Sequence, residues 1–139
     1  MKRHIAADHD GVRVVVMDSV SMLETADRGQ IVVTGSNGGL ASGRVASAFG
    51  VRFAVFSDAG IGTDRAGVLG LEYLDQVRIP AVAVSHDSAE ISDGMDIWSN
   101  GIITVANQTA AALSIRSGMS VPEAVATFVA TIARLDERG

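Results

Sequence analysis

A chain of 139 residues is the size of one domain, and its 47% hydrophobic content supplies a full core with apolar surface to spare. A net charge of −5, with eleven Lys and Arg scattered almost singly, excludes the clustered cationic surface that nucleic acid needs. The absence of cysteine excludes disulfides, thiolate chemistry and cysteine-based metal centres.

The opening residues 1–11 are polar and aperiodic, and they read as a loose start or an edge element. Lys2 and Arg3 are not followed by an apolar core before Asp8, so no secretory leader is expected and a cytoplasmic location is inferred. Val12 to Met17 is β-branched and continuous, as in a buried strand. Residues 18–30 fit either a short helix or a hairpin arm turning near Asp27-Arg28-Gly29.

From Ile31 the pattern is regular. Residues 31–36 form a strand running into Gly38-Gly39, and Ala41, Val45, Ala48 and Phe49 then recur at helical spacing before Gly50. Residues 51–58 are the next strand. A glycine-punctuated loop follows, then a helical face of Val68, Leu71, Leu74 and Val77, then a third strand over 79–84. Strand–helix–strand alternation at this tempo predicts right-handed crossovers and a parallel sheet. Residues 85–100 are polar without a clear period. A strand is expected over 101–107, then an alanine-rich helix capped by Asn107 that stops at Gly118. The last helix has the strongest start signal, an S-x-x-E box at Ser120 and Glu123 with Pro122 in its first turn. Its buried face comprises Val125, Phe128, Val129, Ile132 and Leu135.

The expected fold is a single α/β domain over 1–139. It is a small three-layer, Rossmann-like arrangement with a mainly parallel sheet of four or five strands and helices on both faces. The apolar excess and a charged fraction of only 19% predict a homo-oligomer. No apolar run is long enough to cross a bilayer, so no membrane partner is expected.

In open parallel sheets ligands bind beyond the carboxyl ends of the strands, where loops converge and helix N-termini point. Three loops fall there. Ser36-Asn37-Gly38-Gly39 is a candidate cradle for a phosphate or carboxylate, because glycines let the backbone approach an anion. In the second loop Gly60 and Gly62 open a G-x-G, but Arg65 stands where a dinucleotide fingerprint needs its third glycine. No G-K-[ST] exists either, so nicotinamide and nucleoside-triphosphate cofactors are disfavoured and no cofactor is expected. Asp64 reads as the cap of the following helix. The third loop begins Ser85-His86.

Asp58 ends one strand and His86 ends the next, which makes them a candidate acid–base pair. Asp58 follows a buried run, and burial would raise its pKa and favour its use as a base. With Ser36 they satisfy the residue types of a hydrolytic triad, without the G-x-S-x-G elbow. Asp87, Glu90, Asp93 and Asp96 are spaced by three, and a solvated acidic face accounts for them better than a metal does. The substrate-binding candidates are therefore Ser36, Asn37, Gly38, Gly39, Gly60, Gly62, Asp64 and Ser85. The expected function is a small-molecule enzyme or binding domain for an anionic or amide-containing metabolite. Hydrolysis or isomerisation without a cofactor fits best. The alternative is a non-catalytic ligand sensor or structural subunit.

Overall fold

Continuous apolar strands require cover on both faces, and the computed structural model, which describes residues 3–59 and 65–138, provides it. Six strands form one sheet in the order β1-β2-β3-β4-β5-β6: Arg3–His9, Val12–Met17, Ile31–Asn37, Phe53–Ser57, Ala81–Val84 and Ile103–Ala106. The four central strands are parallel, whereas β1 and β6 pair antiparallel with their neighbours. This corrects the expectation of a mainly parallel, Rossmann-like sheet of four or five strands. Residues 1–11, which read as a loose start or an edge element, supply the edge strand: β1 pairs with β2 through a tight turn at Asp10 (φ 54°) and Gly11 (φ 93°).

Helix α1 (Leu40–Phe49) links β3 to β4, and α2 (Leu69–Gln76) links β4 to β5. Both lie on one face, where Ala46, Leu71 and Leu74 join Val32, Ala54, Phe56 and Ala83 in a buried cluster. The other face is covered by α3 (Gly94–Asn100), the four-residue α4 (Gln108–Ala111) and α5 (Val121–Arg138), with Ile97, Ala110 and Phe128 packed against Val33, Phe53 and Val55. The Phe128 ring sits 5.1 Å from that of Phe53, centroid to centroid. Because strand order follows chain order, no point of reversal exists within the sheet. A doubly wound fold opens its ligand crevice at such a reversal, so that geometric argument does not carry over to this chain.

The β2–β3 crossover is neither a regular helix nor a hairpin arm but two short 3₁₀ turns, Val20–Met22 and Thr25–Asp27. Asp27 is buried and accepts both arms of the Arg3 guanidinium at 2.8 and 2.6 Å, together with the Glu24 amide. The edge strand is thereby fastened to the crossover. The Ser120–Glu123 box is present reciprocally at 3.2 and 3.3 Å, and Asn107 caps α4 through the Ala110 amide. The strand expected over 101–107 is shorter, and the helix expected to reach Gly118 stops after one turn. Residues 85–100, which carry no sequence period, contain α3, started by the Asp93 side chain.

Two glycines make the packing possible. A Cβ on Gly94 would collide with the Met17 carbonyl, and one on Gly70 with the carbonyl oxygens of Gly38 and Gly39. The segment 92–94 therefore lies directly over the ends of β2 and β3, where Ser92 donates to the Gly35 carbonyl at 2.7 Å and Gly94 to Asp18 at 3.0 Å. Among the described residues no helix is long and apolar enough to cross a membrane.

Substituting Gly70→Ala should cost about 1–3 kcal/mol in urea unfolding, the usual cost of an overpacked contact. A loss below about 0.5 kcal/mol, the range of neutral surface changes, would show that α2 shifts freely away from the Gly38-Gly39 turn.

Candidate functional site

The end of β4 is registered against β5 by its backbone: the Asp58 amide donates to the Val84 carbonyl at 2.8 Å. That contact sets the carboxylate beside the first residues after β5. Asp58 Oδ1 accepts the His86 amide at 3.0 Å and pairs with the His86 ring Nδ1 at 2.6 Å. Oδ2 accepts the Thr104 hydroxyl at 2.7 Å. The residue retains only 5% of its exposure, while the His86 side chain is 53% exposed. A buried carboxylate thus holds one nitrogen of an imidazole whose other nitrogen, Nε2, faces outward. With Asp58 ionised, the ring proton belongs on Nδ1, and neutral His86 presents the Nε2 lone pair to solvent.

The electrostatics reverse one expectation. Burial does oppose the charge on Asp58, but the His86 ring, the Thr104 hydroxyl and the His86 amide together hold its pKa below the usual 3.8. Asp58 is therefore held as an anion below the ordinary carboxylate range, not raised as burial alone would have it. His86 moves the opposite way. Its hydrogen bond to Asp58, the charge of Asp58 and then the charge of Asp87, whose oxygen lies 3.8 Å from Nε2, raise its pKa above 6.5. Protonation at neutral pH is thereby drawn closer.

The remaining candidates divide. Ser36 Oγ accepts the Val20 amide at 2.9 Å, which places this hydroxyl at the β2–β3 crossover, and the structure does not bring it to His86 as a triad nucleophile. In the next turn the Gly38 amide donates to Ser57 and the Gly39 amide to the Asn37 side chain at 3.0 Å, while the Gly38 carbonyl receives Gly70. The Gly38 and Gly39 amides are thus committed inside the protein, and the two glycines serve the close approach of α2. Ser85 Oγ accepts the Asp87 amide at 3.0 Å and shapes the turn that carries His86. Gly60, Gly62 and Asp64 lie outside the described residues.

Carboxylate oxygens of Glu90, Asp93 and Asp96 lie within 4.8 Å of one another. Their convergence follows from helix starting. Asp93 accepts the Asp96 amide at 3.0 Å, and Asp96 accepts the Glu90 amide at 2.8 Å and the Asn100 side chain at 2.7 Å.

Thr104 escapes sequence reasoning. It sits in an expected strand, but only the antiparallel placement of β6 beside β5 brings its hydroxyl over to Asp58. Among the described residues, cavities of about 430, 370 and 210 Å³ open on the surface. The second is bounded by His4, Asp18, Asp93 and Met95 at the same end of the sheet as Asp58. No family model, curated protein or solved structure matches the chain.

The pair predicts a defined dependence on pH. Asp58, with its folded pKa lowered, contributes stability that is present above about pH 3.8 and lost as pH falls through its folded value. His86, with its folded pKa raised, contributes stability that is complete below 6.5 and lost as pH rises through that higher value. An NMR titration of the histidine rings, assigned with His86→Ala, should give His86 a midpoint above 6.5. Asp58→Asn should bring that midpoint down. An unchanged midpoint in Asp58→Asn would refute the charge coupling.

Proposed function

We propose that the chain is a small-molecule enzyme that works without an organic cofactor, as a hydrolase or isomerase, with His86 Nε2 as the atom that takes and returns a proton. One observation carries this reading: a nearly buried, fully hydrogen-bonded carboxylate holds the Nδ1 of an exposed imidazole. That arrangement fixes the ring tautomer and stabilises the imidazolium formed when Nε2 accepts a proton. Thr104 holds the far oxygen of Asp58, so the carboxylate cannot rotate away from the ring without losing a bond. With the Gly38 and Gly39 donors committed elsewhere, an amide or ester carbonyl suits the site better than an anion bound at residues 36–39. His86 would act on water or on a proton next to that carbonyl.

The second reading is a non-catalytic, homo-oligomeric sensor or structural subunit. One observation favours it: large apolar side chains such as Ile5 (59% exposed) and Leu135 (52% exposed) remain uncovered.

The readings separate on an activated ester. With p-nitrophenyl acetate, the rate should rise with pH as His86 loses its proton, with a midpoint above 6.5. His86→Ala should lower it at least about tenfold, a modest part of what a positioned base contributes. Asp58→Asn should lower the rate and move the midpoint toward acid. Equal rates for the wild type and His86→Ala, with both proteins folded, would remove the catalytic reading. Light scattering that shows a stable oligomer alongside that result would favour the second.

A further inference from the structure

The apolar stripe of α5 is covered unevenly. It is buried at Val121, Ala124, Val125 and Phe128, continues through half-buried Val129 and Ile132, and ends at Leu135, which is 52% exposed. Beside its last turns stands the tip of the β1–β2 hairpin. Between the two runs a groove of about 430 Å³, with Val12, Val129 and Ile132 on its floor.

The rim of this groove is acidic. Asp8 and Asp10 border it from the hairpin, with His9 between them, and Asp136 borders it from the helix. Asp8 already turns one oxygen onto the Gly11 amide at 2.8 Å, which spends a lone pair but leaves its charge in place. Asp136 lies in the last turn of α5, where the unsatisfied carbonyls of a helix end add negative potential. Arg134, two positions before Asp136, contacts the Thr131 hydroxyl at 3.4 Å. An apolar floor thus lies under three carboxylates and the negative end of a helix.

We infer that this groove docks a basic amphipathic segment of another protein, one whose apolar side chains fill the floor while flanking Lys or Arg residues meet the rim. Charge decides between occupants. A second copy of this chain presenting the same groove would set carboxylates against carboxylates, and an acidic peptide would meet the same repulsion. A cationic helix or extended segment gains on both counts, by burying Val12 and Ile132 and by pairing with Asp8, Asp10 and Asp136. The site is separate from Asp58 and His86, so it stands or falls independently of the reading above.

Fluorescence anisotropy with two labelled peptides tests the inference. Both are amphipathic helices of about four turns, one built from Leu, Ala and Lys and the other with Glu in place of Lys. The Lys peptide should bind and the Glu peptide should not, and binding should weaken as salt rises from about 50 to about 300 mM. Asp10→Asn with Asp136→Asn should weaken the Lys peptide about tenfold, the sum of two partly exposed charge pairs. Asn suits the positive φ of position 10, so this variant keeps the hairpin intact. Ile132→Gln, which retains a good helix former, should weaken binding by at least a few fold through the floor. Glu72→Gln, an acid on α2 across the sheet, should leave affinity within about twofold. Absence of binding by the Lys peptide would overturn the inference. So would an equal loss in Glu72→Gln, which marks diffuse charge attraction, or no loss in Ile132→Gln, which marks attraction without the groove.

Discussion

A carboxylate taken out of water must be surrounded by donors or it loses its charge, and Asp58 meets that demand with three of them. They come from two different places in the chain, the turn after β5 and the middle of β6. Satisfying one anion therefore sets the turn after β5 and the side of β6 relative to the end of β4. The orientation of His86 is a by-product of that constraint. Its Nδ1 is drawn to Asp58, its backbone amide is held by the same oxygen, and Nε2 is left on the outside. Remove the negative charge and the ring loses both its anchor and the cause of its raised basicity. The chemistry proposed for the chain and the closure of the sheet at this end thus rest on the same few bonds.

Much of the fold was legible because apolar runs and helix-start signals are local. The strands at 12–17 and 31–36, the helix ending at Gly50 and the capping box at Ser120 and Glu123 all depend on residues close in sequence. The pairing of strands was less legible. The antiparallel β1 had a local sign in the Asp10-Gly11 turn, inside a segment whose polarity hides the strand, whereas nothing local shows that β6 runs against β5, since its direction is set by how the chain returns through α3. Helix α3 was hidden for a related reason: it is seven residues long and begins on Asp93, within a stretch whose acidic spacing reads as surface.

The candidate site was half visible. Asp58 and His86 were found because each follows a buried run at the same end of adjacent parallel strands, and the structure does bring them into contact. Their roles were not visible, because a pKa depends on the donors around a group as well as on burial. The turn at 36–39 shows one signal with two uses. A strand-following Gly-Gly before a helix is what an anion site looks like in sequence, yet here the same glycines admit the backbone of Gly70. Both uses require the absence of a side chain, and only the identity of the approaching group separates them.

The sequential strand order has a consequence for how the protein forms. Each strand hydrogen-bonds to the one made just before it, so the sheet can grow in the order the chain is synthesised, with each addition closing only a modest loop. The covering helices depart from that order: the Gly94 amide meets Asp18 across 76 positions, and Phe128 of α5 reaches back to Phe53 of β4. The sheet can therefore form as a progression along the chain, with α3 and α5 returning afterwards over strands made earlier.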